Sequence, residues 1–355
     1  WGDFYTAPLA HPAFGALVAR QAAHIWRFLD RPQTAWVIEA GAGTGQLTAD
    51  IVRHAAHIDS SWATALRGVA VDVNTPGGLP EWVCSSVVPM RQVKGIIIAN
   101  ELLDAMPVHR VTIQDGQLRE IWVTIDTATG RFVELIDDPS TPELSQRLTS
   151  LDVMLADGFR TEINLGIEDW LASVASALDD GFLLLLDYGH EAEAYYDSKR
   201  RMGTLRCYTG HTMNMNPYVN VGRQDISVHV DWTSVRRSAE KVGMHEIFST
   251  TQQEFLEGLG FQELRSAVGK VPGLAPDHRR ANLHALDTLT DPSGMGGFRV
   301  VLLAKGEIAH QAIAAGGLQV RDGRWPFAPV FASRSHMPLG MSSSVPTPNW
   351  DQLFR

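Results

Sequence analysis

Between Glu39 and Gly45 the chain reads E-A-G-A-G-T-G, and between Asn100 and Asp104 it reads N-E-L-L-D. These two stretches hold most of the residue types that could do chemistry. Glycines at alternate positions let a backbone reverse sharply and come within contact of a ligand, because no Cβ stands in the way. Amides at the N-terminus of a following helix then face an electron-rich group. Gly41, Ala42 and Gly43 form the candidate cradle, with the Glu39 carboxylate beside it. A dinucleotide fingerprint needs G-x-G-x-x-G, and Gln46 stands where its third glycine belongs, so a pyrophosphate is the weaker ligand.

Glu101 and Asp104 are two acids three positions apart, just ahead of Pro107. Like charges that converge repel unless a cation or a proton relieves them, so the pair suits a cationic acceptor. The alternative is structural, with Asn100 capping a helix. Asp72 ends a V-A-V-D-V stretch. A carboxylate there either accepts hydrogen bonds from both hydroxyls of a ribose or is a solvated strand end. Asp187 and Tyr188 emerge from another apolar run, L-L-L-L-D-Y-G-H. His190, His211 and His229 lack H-x-x-x-H spacing and a cysteine partner, so no metal site is expected. His211 is read as a hydrogen-bonding or acid/base residue of a long loop.

Positioning these groups requires an open parallel sheet, because ligands of such sheets bind beyond the carboxyl ends of the strands. Apolar runs at 35–38, 68–73, 95–99 and 182–186 read as buried strands, and 46–53 carries helical spacing. Alternation from 108 to 135, broken at Asp115-Gly116 and Thr129-Gly130, reads as an antiparallel meander inserted in an α/β core. Residues 136–165 look less regular. Further helices are expected at 16–29, 168–178, 232–242, 252–259 and 275–289, and a closing strand at 297–305. The expected organisation is a domain over 1–306, with a core of about 16–107 and 166–306. Within it lie a substrate-side insertion at 108–165 and a lid-like segment at 190–232, and residues 307–355 form a C-terminal appendage.

The formal net charge of −10 and the absence of a basic cluster beyond Lys199-Arg200-Arg201 speak against nucleic acid and favour a cationic acceptor. Apolar runs fall far short of a membrane span. Two cysteines make no disulfide framework and suit a reducing compartment. Ser335-His336-Met337 reads either as a vector-derived scar or as a natural tail.

Together the stretches G-D-F-Y-T-A-P, E-A-G-A-G-T-G, N-E-L-L-D-A-M-P-V, L-D-Y-G, G-T-L-R-C-Y and D-I-S-V-H-V-D resemble the MidA-like family of class I S-adenosylmethionine-dependent methyltransferases. That family includes a mitochondrial arginine methyltransferase of complex I assembly. The resemblance implies a Rossmann-like α/β sheet with helices on both faces, carrying the meander and additional helical elements. It implies S-adenosylmethionine as cofactor, held by Tyr5, Thr6, Glu39, Gly41, Ala42, Gly43, Asp72 and Asn100. Asn100, Glu101 and Asp104 match the family's post-strand motif beside the transferred methyl, so Glu101 and Asp104 are the candidate catalytic acids. His211, from the loop and not from the motif, is the third candidate, against an ordinary satisfied histidine. An arginine of a protein is the implied acceptor. Two alternatives stay open: a peptide or small-molecule O- or N-methyltransferase, and a cofactor-binding assembly factor without catalysis. Expected partners are a protein or peptide acceptor and a second copy in a homodimer. The implied compartment is a bacterial cytoplasm or a mitochondrial matrix. The second-strand acid is usually glutamate in the family, and 74–91 match it poorly.

Overall fold

Four strands, Ala35–Ala40 (β1), Leu66–Asp72 (β2), Trp82–Cys84 (β3) and Val93–Asn100 (β4), lie in one seven-stranded sheet. Its order is Met244–Thr251, Arg299–Lys305, Leu178–Asp187, β4, β1, β2, β3. In this computed structural model the described residues are 6–74, 81–209, 212–333 and 336. All strands of the sheet are mutually parallel except Arg299–Lys305. Continuous burial of Ile96 to Ala99 and of Phe182 to Leu186 explains why both read as unbroken apolar runs. The sheet and its helices make one compact unit, comprising 6–102, 172–187 and 242–333 with His336.

Register sets the site. Ala40 pairs with Val71 on one side and with Ala99 on the other, so Gly41, Asp72 and Asn100 leave three adjacent strands at one level. The helix Gln46–Ile58 follows the glycine turn. Before β1, the helix Ala13–Phe28 is preceded by a helical turn, Ala7–Ala10. That turn is tied down by His11, whose Nε2 lies 3.1 Å from Asn282 Oδ1 while its Nδ1 accepts from Ala13 N. Burial lowers the pKa of His11 to about 4, so the ring is neutral.

Two elements of this unit left little trace in the sequence. Met244–Thr251 is an edge strand with a bulge between Glu246 and Phe248, which breaks the alternation that would reveal it. Beyond residue 306, the helix Glu307–Ala314 is followed by a segment whose Leu318, Trp325 and Val330 are buried. Gln21 Nε2 donates to Leu318 O, and Trp325 N to Glu263 Oε2. His336 is buried against Asp50, Nε2 to Oδ2 at 2.8 Å.

The second unit comprises Leu103–Leu171 and Tyr188–Lys241. Its four-stranded antiparallel sheet runs in the order Phe132–Asp137, Gln117–Ile125, His109–Gln114, Arg160–Ile163. Asp115 and Gly116 both adopt positive φ in the expected hairpin turn, and Gly130 does so in the next. A helix at Glu143–Ser150 lies in the segment expected to be less regular, where Leu144 and Leu148 alone supply an i, i+4 apolar pair. Inside the long segment, Arg206–Thr209 pairs antiparallel with Thr212–Asn214 and Asp225–Ser227.

Candidate functional site

The glycine turn is left-handed at Gly41 (φ 70°), Gly43 (φ 54°) and Gly45 (φ 71°), which justifies three glycines. Its amides were expected to point at a ligand. Instead Gly41 N and Ala42 N donate to Val71 O, Gly43 N to Asp72 Oδ2 at 2.9 Å, and Gly45 N to Ala42 O. Three left-handed residues in so short a reversal bring these amides against the next strand, so they fix the turn itself. A Cβ on Gly41 would stand 2.6 Å from Leu102 Cδ1, whereas one on Gly43 would meet no atom within 4 Å. The face above Gly43 is therefore open to a ligand.

Asp72 is half-buried at the end of β2, and its two oxygens accept from Gly43 N and Asn74 N, each at 2.9 Å. Each oxygen keeps a second lone pair for a further donor. Glu39 is buried, and its Oε2 accepts from Thr48 N at 2.9 Å and Thr48 Oγ1 at 2.6 Å. Removal from water pushes its carboxyl up to about 7. Asn100 is buried beside Gly41; its Nδ2 donates to Glu101 Oε1. Asn100 Oδ1 has no hydrogen-bond partner among the described residues. A buried acceptor without a donor is costly, and a ligand carrying an ammonium or amino group would satisfy it.

S-adenosylmethionine offers such an ammonium, together with two ribose hydroxyls for Asp72, so this donor and acceptor set fits the cofactor. Thr6 precedes the helical turn; its carbonyl accepts from Leu9 N and Ala10 N, and its side chain makes no cap. The next residue, Ala7, donates its N–H to Glu101 Oε1 at 3.2 Å. Glu101 has φ 50°, left-handed for a residue with a side chain, and its N–H donates to Leu186 O at 2.8 Å. Asn100 ends a strand here and caps no helix. Tyr5 and His211 lie outside the described residues.

Asp104 opens the second unit and is buried there. Tyr188 Oη donates to Asp104 Oδ2 at 2.5 Å and lies 2.6 Å from Ser227 Oγ. Burial pushes Asp104 up to about 6, against the lowering effect of the Tyr188 hydrogen bond. The rings of His229 and Tyr188 lie nearly perpendicular at a centroid distance of 5.3 Å. His229 Nδ1 lies 3.0 Å from His190 Nε2, so one ring must present an N–H to a bare nitrogen of the other. Burial, then repulsion from His190, lowers His229 to about 3, which keeps it neutral. Among the described residues no cluster of His, Cys, Asp and Glu could hold a metal. Tyr188 and Ser227 had no assigned role in the sequence, although L-D-Y-G and D-I-S-V-H-V-D were conspicuous stretches; only their pairing with Asp104 gives them one.

The family model for S-adenosyl-L-methionine-dependent methyltransferases matches residues 17–249. A COG1565 superfamily protein of Burkholderia thailandensis, solved with S-adenosyl-homocysteine bound, is similar at 28% identity and a TM-score of 0.74. The match covers 85% of this chain and 79% of that one. The mitochondrial protein arginine methyltransferase NDUFAF7 homolog of Drosophila melanogaster is 24% identical over 83% of this chain and 73% of its own length. Human NDUFAF7 is 24% identical over 95% of this chain and 80% of its own length. The fold is that of class I methyltransferases.

Proposed function

The chain belongs to the MidA-like family of S-adenosyl-L-methionine-dependent methyltransferases, and from that membership we propose that it methylates a guanidinium nitrogen of arginine in a protein acceptor. Two similar proteins are named as mitochondrial protein arginine methyltransferases, which supports this acceptor. The observation that carries the reading is the pair of donor-held carboxylates on N-E-L-L-D: Glu101, gripped by Ala7 N and Asn100 Nδ2, and buried Asp104, gripped by Tyr188.

When bound, S-adenosylmethionine supplies an electrophilic methyl on a sulfonium, so the protein has chiefly to align a nucleophile. The 41–45 turn, Asp72 and Asn100 would hold the cofactor, and Thr6 and Tyr5 are proposed as further contacts to it. Glu39 braces the site from beneath by holding Thr48 in the first turn of the helix that follows. Glu101 anchors the guanidinium and draws its positive charge toward the nitrogens that do not react. Asp104, whose burial raises its proton affinity, takes the proton that the reacting nitrogen gives up. His211 is proposed as a hydrogen-bonding residue on the same side. In a eukaryotic source the compartment would be the mitochondrial matrix, and in a bacterial one the cytoplasm. Among the described residues no helix is long and apolar enough to cross a membrane.

Incubation of arginine-containing proteins from a cell extract with isotopically labelled cofactor, followed by mass spectrometry, tests the reading. Label on arginine side chains is the expected result. Label confined to hydroxyls, carboxylates or small molecules would replace it with the small-molecule methyltransferase.

A further inference from the structure

The hairpin of Gln117–Ile125 and Phe132–Asp137 shows apolar side chains on both of its faces. Trp122, Val133 and Leu135 share one face, and Val123, Phe132 and Ile136 the other; these six are between 38% and 53% exposed. Contiguous exposure of this kind marks an interaction surface. Phe132–Asp137 is moreover the edge of its four-stranded sheet, with its outer backbone groups turned away from the ladder. Natural edges are blunted by charges, prolines or bulges. Of the two charges in this strand, Glu134 is already neutralised by Arg110 and Arg160, each at 2.7 Å, and Asp137 stands at its end.

We infer that Phe132–Asp137 pairs antiparallel with the same strand of a second copy, about a two-fold axis at Glu134, joining the two four-stranded sheets into one eight-stranded sheet. The sequence R-F-V-E-L-I-D is self-complementary about that residue. Pairing centred on Glu134 sets Arg131 opposite Asp137, Phe132 opposite Ile136 and Val133 opposite Leu135, and each pair falls on one face of the joined sheet. Both arms of the symmetry repeat these contacts, so the dimer holds two exposed ion pairs and four apolar ones. Arg131 and Asp137 are exposed. At the axis the two Glu134 carboxylates are flanked by four guanidinium groups, Arg110 and Arg160 from each copy, which offset their mutual repulsion.

Other registers lose this match. Centring on Leu135 sets Val133 against Asp137 and Arg131 against Pro139, and centring on Val133 sets Phe132 against Glu134. Like or mismatched partners directly opposite in an antiparallel pair are destabilising, whereas opposite charges and apolar pairs stabilise. Charge complementarity thus selects both the occupant and the register. A second copy is the partner that presents the same residues in reversed order.

Sedimentation equilibrium of the full chain tests this. The expected result is a dimer. Arg131→Asp and Asp137→Arg should each raise its dissociation constant by about tenfold or more, since either change sets like charges opposite in two places. The double variant, R131D with D137R, restores the attraction and should dimerise like the parent. Both positions are exposed, and far-UV circular dichroism should match the parent in all three variants. A parent chain that stays monomeric at every concentration overturns the inference, as does a dimer indifferent to the single reversals. A double variant no tighter than the singles overturns the register.

Discussion

Asp104 carries the most information of any single residue, because its charge, its burial and its short hydrogen bond from Tyr188 make opposing demands. Loss of hydration favours the protonated form, and the donated Tyr188 hydroxyl favours the ionised one; the balance lies at about 6. In its proposed role of proton acceptor it works only when ionised, so kcat/KM on an arginine peptide should fall as pH drops through about 6. Tyr188→Phe removes the donor to the ionised form and should move that acid limb to higher pH. A limb that stays in place would show that another group sets it. The same raised value means that Asp104 weakens the folded state as pH rises from the ordinary carboxylate range toward 6, an effect complete above that value. Asp104→Asn and Glu101→Gln keep the shape and lose the charge. Each is expected to lower turnover by on the order of a hundredfold, with the cofactor dissociation constant nearly unchanged. In Glu101→Gln the amide oxygen can still accept from Ala7 N, so normal methylation by that variant would sink the anchoring role.

At the scale of elements, the glycine turn and its neighbours divide the work between geometry and contact. Gly41→Ala combines a left-handed φ with a methyl 2.6 Å from Leu102 Cδ1, so it should cost about 1–3 kcal/mol of stability. Gly43→Ala meets open space and should cost about 1 kcal/mol, from its positive φ alone. Its methyl, however, faces the volume assigned to the cofactor. Thermal unfolding should therefore rank Gly41→Ala as the more damaging, whereas calorimetric titration should show Gly43→Ala losing cofactor affinity out of proportion to its stability. Asp72→Ala removes two acceptors for backbone amides as well as those offered to the ribose. A loss of roughly tenfold to a hundredfold in affinity is expected, with Asp72→Asn, which keeps one acceptor oxygen, in between. An unchanged dissociation constant in Asp72→Ala would reduce that residue to a strand end that steadies its own turn.

For the whole molecule, binding to the folded state alone should raise its stability. S-adenosyl-homocysteine at about a hundred times its dissociation constant should add roughly 2.7 kcal/mol, read as an upward shift of the unfolding midpoint, and a nicotinamide dinucleotide should add none. The reverse order of response would remove the cofactor assignment. That assignment was legible in the chain itself because its signals are local: glycines at 41, 43 and 45, an acid ending one strand and N-E-L-L-D following another. Sheet strands and hairpin turns were legible for the same reason, since apolar runs and Asp-Gly steps act within a few residues. Other features had no local signature. Asp104, Tyr188 and Ser227 are brought together from places 84 and 39 residues apart, and His336 reaches Asp50 across 286. Glu101 owes its left-handed backbone to what surrounds it, and Met244–Thr251 is a strand because Arg299–Lys305 pairs with it despite a bulge. Residue types and spacing marked the glycine turn and the acids beside it, and the family resemblance those stretches carry pointed to the cofactor. Only tertiary structure decided which donors hold those acids, because a hydrogen bond between distant residues leaves no period in the sequence.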